Sequence, residues 1–136
     1  MSEERKKLKA KAWKACSDYI RYRECLETTG DPDLGVCCSC GRVKVKKELD
    51  AGHYIQGRKD NVLFVDELIH IQCQYCNRRL GGNYLEYRKY MVKRYGEKKV
   101  ERFEDIKWIK SSLSIFDLKA LLQDYKEKLS VLKGKL

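Results

Sequence analysis

The chain is expected to fold as an α+β domain, a small zinc-stabilised ββα core flanked by an N-terminal and a C-terminal helix. Three observations predict this. Cysteines recur in two C-x-x-C steps, Cys37/Cys40 and Cys73/Cys76, a spacing suited to a tetrahedral zinc site. Between them lie two short runs of strand formers, and both ends of the chain carry apolar residues at helical spacing. With 136 residues, 37% of them charged, the chain makes one domain with a modest core, which a structural metal would reinforce by contributing folding free energy.

Residues 3–27 predict a basic helix. Leu8, Ala12, Ala15, Tyr19, Tyr22 and Leu26 recur at helical spacing, and Glu3 and Glu4 suit the positive N-terminal end of the helix dipole. Lys6, Lys7, Lys9, Lys11, Lys14, Arg21 and Arg23 occupy the other faces. Thr28-Thr29-Gly30-Asp31-Pro32-Asp33, which holds the single proline, ends it.

Residues 36–95 are expected to form the zinc-centred core. Cys37 to Gly41 reads as a tight knuckle. Ala51 to Ile55 reads as a short strand, and Leu63 to Ile71 as its antiparallel return. The second cysteine pair then opens a short helix. A further helix spans Tyr84 to Tyr95, with Asn83 as N-cap and Gly96 past its end.

Residues 114–133 predict the C-terminal helix. Ser114-Ile115-Phe116-Asp117 has the form of a capping box, and Leu118, Leu121, Leu122, Tyr125, Leu129 and Leu132 make an amphipathic stripe.

Four thiolates complete a zinc shell unaided, so His53, in Asp50-Ala51-Gly52-His53-Tyr54, is left free for chemistry. Neutral imidazole accepts a proton near pH 7 and suits a general base. A catalytic magnesium or manganese would need oxygen ligands nearby. Asn77, directly after Cys76, can supply one; His70, Asp50, Asp66 and Glu67 are the other candidates. The arrangement points to a metal-dependent nuclease of HNH or treble-clef-like build, with His53, Asn77 and His70 catalytic. The plainer reading is a non-catalytic zinc module that binds DNA or acts as a regulator, which has no need of His53 or Asn77. Cys16 and Cys25 read as buried apolar thiols, and Cys38 lies inside the knuckle outside the C-x-x-C spacing.

The formal charge of +10, about +8 once four thiolates and one zinc are included, implies a polyanionic partner. Lys7, Lys11 and Lys14 on the first helix are the expected DNA contacts, with Arg78, Arg79 and Arg88 the second set. No apolar run spans a bilayer and no hydrophobic signal segment follows the N-terminus, so no membrane partner and a reducing, intracellular setting are expected.

The pattern Cys-x-Ser-Cys-Gly (Cys37 to Gly41), Asp-Ala-Gly-His-Tyr (Asp50 to Tyr54) and His-x-Gln-Cys-x-x-Cys-Asn-x-x-Leu-x-Gly-Asn-x-x-x-Tyr-Arg (His70 to Arg88) resembles the NinG/Rap recombination proteins of lambdoid phages. The resemblance covers the centre well and the terminal helices more loosely. It implies a structure-selective, HNH-like endonuclease acting on branched DNA such as Holliday junctions and D-loops, in the cytoplasm of a bacterial host. Symmetric cutting of a junction would suit a homodimer. One departure stands out. HNH-type chains commonly place an asparagine where this chain has Leu68, so either another group, such as Asn61, holds His53, or catalysis is weaker.

Overall fold

The computed structural model describes residues 2–134. The elements run α1 (Glu3–Thr29), β1 (Leu34–Val36), β2 (Val43–Val45), β3 (Leu49–His53), β4 (Ile69–Cys73), α2 (Tyr84–Tyr95), α3 (Glu97–Asp105) and α4 (Ile115–Gly134). Strands β1 and β2 form one antiparallel hairpin, and β3 and β4 a second two-stranded sheet. In the latter Leu49 faces Cys73, Ala51 faces Ile71, and His53 faces Ile69. The mixed α+β class expected from sequence is present.

Strand alternation gives the β3–β4 sheet two buried faces. On one, Ala51 and Ile69 meet Ala15, Cys16 and Ile20 of α1, and Leu49 and Ile71 join Cys25 and the buried thiols Cys37, Cys73 and Cys76. On the other, Tyr87 of α2 donates its hydroxyl to the Gly52 carbonyl at 2.7 Å and accepts the His70 amide at 2.9 Å. Any side chain at position 52 would overlap Oε1 of the buried Gln72. That close approach explains the glycine next to His53.

Helix α1 is capped by Ser2, whose hydroxyl accepts the Arg5 amide at 3.1 Å, and it ends at Gly30 in the left-handed region. Helix α4 starts with the expected reciprocal box, Asp117 N to Ser114 Oγ at 3.0 Å and Ser114 N to Asp117 Oδ2 at 2.9 Å. It runs parallel to α1: Leu113, just before it, accepts Arg5, and along the helix Tyr125 meets Tyr19 and Lys133 meets Tyr22. Leu118 and Tyr125 are fully covered. Among the described residues, no helix is long and apolar enough to cross a membrane.

Two expectations are corrected and one is made more specific. The return strand begins at Ile69, not Leu63: residues 54–65 form a loop whose Val62 and Leu63 are apolar because they turn into the core. The short helix expected at the second cysteine pair is present as a single π-helical turn (the π-turn), Tyr75–Arg79, stopped by the left-handed residues Gly81, Gly82 and Asn83. Asn83 does precede α2, but its side chain makes no cap bond; it donates to the Cys76 sulfur at 3.4 Å instead.

Candidate active site and four-thiol centre

The β1–β2 turn, the end of β4 and the following π-turn bring Cys37, Cys40, Cys73 and Cys76 together, with all four sulfurs within 4.8 Å of one another. A tetrahedral zinc with Zn–S near 2.3 Å sets its sulfurs about 3.8 Å apart. Cys40 Sγ and Cys73 Sγ stand 3.8 Å apart. The Cys40 amide points at Cys37 Sγ at 3.5 Å and the Cys76 amide at Cys73 Sγ at 3.4 Å, the outer contacts that orient thiolate ligands. The four residues can therefore hold a metal ion such as zinc. Cys38 turns away, with its sulfur beside the Ser39 hydroxyl and its side chain packed on the Tyr54 cluster. Cys16 and Cys25 are fully buried, and burial pushes the Cys16 thiol up to about 12. They are the apolar thiols expected from sequence.

Beside this frame lies a cleft of about 570 Å³ between α1 and the β3 end of the sheet. Asp50 and His53 line it from β3, Asn77 and Arg78 from the π-turn, and Trp13, Ser17 and Arg21 from α1. Asp50 Oδ2 and the Asn77 side-chain amide are 2.9 Å apart. Arg78 closes on the same carboxylate with Nε and Nη2, each at 2.9 Å. His53 Nε2 is 3.1 Å from the Leu63 carbonyl. A carbonyl only accepts, so Nε2 carries the proton and Nδ1 keeps its lone pair. The Trp13 ring lies 4.7 Å from the imidazole, with the Arg58 guanidinium 5.3 Å from the indole centroid. Burial holds the His53 pKa below the ordinary histidine value; the Leu63 carbonyl opposes this, and the Arg58 charge adds to it.

The family model described as bacteriophage lambda NinG protein matches residues 2–135. The chain belongs to the NinG family. NinG proteins of Escherichia phage lambda and Salmonella phage P22 are each 32% identical to it over 124 residues, covering 90% of this chain and 56% of the relative. That of Escherichia phage 933W is 30% identical over 124 residues, covering 90% and 57%. The chain thus spans about half the length of the curated relatives it matches. No solved structure matches it.

In this NinG-family chain His53 and Asn77 share the cleft; His70 does not. His70 is fully buried on β4, with Nδ1 2.7 Å from Glu24 Oε2 and Nε2 3.0 Å from the Tyr95 hydroxyl. Glu24, itself only 2% exposed, also accepts the Ile71 amide at 2.9 Å. Burial works to raise the Glu24 carboxyl, but the His70 and Ile71 contacts and the nearby Arg23 charge hold it below the usual range. The His70–Glu24 pair joins α1 to the sheet and leaves neither group for the cleft.

Of the carboxylates near His53 in sequence, only Asp50 reaches the cleft. Asp66 accepts the Tyr125 hydroxyl, and Glu67 pairs with Lys99 at 2.8 Å. Asn61 does not touch His53; it donates to the Ile106 carbonyl at 3.0 Å and ties down the loop two residues before Leu63. The Leu63 carbonyl is the group that holds the imidazole, and Leu68 is core.

Lys7, Lys11 and Lys14 are exposed on α1, and Lys11 and Lys14 flank a separate groove against α4. Arg79 is exposed, whereas Arg88 is engaged by Glu104 at 3.0 Å. The cations that line the cleft itself are Arg21, Lys47, Arg58 and Arg78. Of these, only Arg78 is among the DNA contacts expected from sequence. The step Asp50-x-x-His53 is the signal available for Asp50, because it puts both side chains on one short strand. Nothing local marks Arg21, Lys47, Arg58 or Trp13, which come together only through the fold.

Proposed function

We propose that this chain is an HNH-like, metal-dependent DNA endonuclease with a ββα site made of β3, β4 and the π-turn that follows. The observation that carries this reading is the convergence of Asp50, Asn77 and His53 in one basic cleft beside a closed four-thiol frame. A passive zinc module has no reason to place a half-buried imidazole in the same cleft as a carboxylate–amide pair. Cys37, Cys40, Cys73 and Cys76 hold a structural zinc, because four thiolates at this spacing leave no open ligand position for substrate.

Asp50 and Asn77 fit a hard divalent cation. The carboxylate and the side-chain amide face each other at 2.9 Å, and a half-turn of the Asn77 amide presents its carbonyl oxygen. Magnesium or manganese bound there supplies positive charge to the phosphate in the transition state. His53, fixed through Nε2 by Leu63, takes the proton of the attacking water on Nδ1. Burial keeps the imidazole neutral and ready to do so. Arg21, Lys47 and Arg58 draw in the phosphates on either side.

Branched DNA, Holliday junctions and D-loops, is the proposed substrate. That selectivity rests on the family resemblance rather than on any residue, as do a homodimeric state and a host-cytoplasmic setting. The test is cleavage of labelled linear and four-way DNA by zinc-loaded protein, with magnesium or manganese, for wild type, His53→Ala and Asn77→Ala. Loss of cutting in His53→Ala, with zinc and DNA binding kept, supports the reading. Equal cutting by His53→Ala and wild type refutes the mechanism. No cutting by wild type with either metal leaves a DNA-binding module.

A further inference from the structure

Arg78 sits on the residues proposed to hold the divalent cation. Its guanidinium takes both oxygens of Asp50, Nε to Oδ2 and Nη2 to Oδ1, each at 2.9 Å, while Asn77 takes Oδ2 as well at 2.9 Å. Every oxygen of Asp50 thus has a donor on it. The Asp50 side chain is 19% exposed and that of Arg78 is 61% exposed, so the pair stands at the cleft mouth with one partner largely in water. The two-point contact gives the pair its geometry, while the guanidinium's exposure to water screens it and leaves it open to competition from another cation. The same planar fork that matches a carboxylate matches a phosphate, and Arg78 is the next residue after Asn77 on the π-turn.

We infer that Arg78 is an exchangeable counter-ion: it holds Asp50 while no divalent cation is bound, and passes to a DNA phosphate when a cation takes its place. This rests on the proposed cation site. The physical reasoning is a competition. A divalent ion at Asp50 and the guanidinium repel each other and share the same lone pairs, so binding of one weakens the other. Release leaves a charged bidentate group at the cleft mouth, within a side chain's reach of where the scissile phosphate must lie to meet His53. The exchange links occupancy of the cation site to capture of DNA, because only the cation-loaded state frees the fork.

Two consequences separate this from an ordinary surface ion pair. Removing Arg78 takes a competitor from Asp50, so the cation binds more tightly in the absence of DNA. Removing Arg78 also costs DNA affinity only when the cation is present.

The experiment uses zinc-loaded full chain titrated with manganese, followed by the electron paramagnetic resonance signal of the free ion, for wild type, Arg78→Gln, Arg78→Lys and Asp50→Asn. DNA affinity of wild type and Arg78→Gln is then measured in a His53→Ala background, with and without manganese. The expected result is manganese binding about three- to fivefold tighter in Arg78→Gln, the scale of losing an exposed pair. Arg78→Lys, which cannot make the two-point contact, falls between. Arg78→Gln also binds DNA several-fold more weakly with manganese and equally without it. Manganese affinity unchanged or weakened in Arg78→Gln overturns the inference, as does an equal loss of DNA affinity with and without the ion. The proposed function fails differently: if wild type binds no manganese, or Asp50→Asn binds it as well as wild type, the cation site itself is absent and both ideas fall. A site that depends on Asp50 but ignores Arg78 sinks the inference alone.

Discussion

A histidine works as a base near neutral pH only if its free nitrogen is unprotonated and its ring cannot swing. His53 meets both conditions without a carboxylate partner: Leu63 fixes one nitrogen, Trp13 backs the ring, and burial lowers its pKa. The acid limb of the cleavage rate should therefore have its midpoint below 6.5, with a level rate through neutral pH. A midpoint at or above 6.5 in the pH–rate profile would remove His53 from the role. His53→Ala should slow cutting by about two to four orders of magnitude at unchanged zinc content. The other histidine carries a structural prediction. Glu24→Ala leaves the buried His70 and the Ile71 amide without their shared acceptor, which should cost about 3–5 kcal/mol in urea unfolding. Because the Glu24 carboxyl is held below its ordinary value of 4.5, its contribution is complete above that pH. It is lost as the pH falls through the lowered value. The stability curve of Glu24→Ala should lack that acid component; an unchanged curve would show that the carboxylate carries no charge in the fold.

At the scale of elements, what was legible in the sequence follows from how local the cause is. Helices α1, α2 and α4 announce themselves by 3.6-residue spacing and end signals, and the capping box of α4 forms as its residues dictate. Ser114→Ala should cost about 1 kcal/mol of stability, measured by thermal unfolding, and shorten α4 helicity at its first turn. Helix α3 left little trace because only Val100 and Phe103 of its nine residues are buried. The three-residue strands β1 and β2 are too short to show alternation, and β2 carries exposed Val43 and Val45. Leu63, Phe64 and Val65 look like a strand because they are apolar, but their burial comes from a loop closing over the core. Asp60 pins that loop by accepting Arg5, Lys9 and the Leu113 amide, partners 51 to 55 residues away in sequence. The four-cysteine cluster was readable because its chemistry is written in spacing, and the same motif marks the positions of His53 and Asn77, which the fold brings to one cleft. The rest of the cleft was not, since Trp13, Arg21 and Arg58 belong to segments that only the tertiary fold brings beside Asp50.

At the scale of the whole molecule, the thiol centre ties three chain segments at one point: the β1–β2 turn, the end of β4, and the π-turn that carries Asn77 and Arg78. Cys73→Ser should therefore release the metal and lose most of the folded structure, seen as loss of bound zinc together with loss of the cooperative unfolding transition. Cys16→Ser should keep the metal. The DNA binding proposed above would divide between two basic surfaces that this fold separates. The exposed lysines Lys7, Lys11 and Lys14 lie along α1, whereas Arg21, Lys47 and Arg58 line the cleft around His53. Each phosphate left without its cationic partner should reduce the salt slope of binding by about 0.9, so either triple change to Gln lowers the slope by as much as ~3. The two sets should differ in catalysis. Lysines remote from the reacting phosphate contribute only to capture, so cleavage by the Lys7/Lys11/Lys14 variant should recover at saturating DNA. If the scissile phosphate lies in the cleft as proposed, its cations act on the bound phosphates, so the Arg21/Lys47/Arg58 variant should stay slow however much DNA is supplied. Single-turnover cutting at saturating junction DNA distinguishes the two; full recovery of the cleft variant would place the scissile phosphate away from His53.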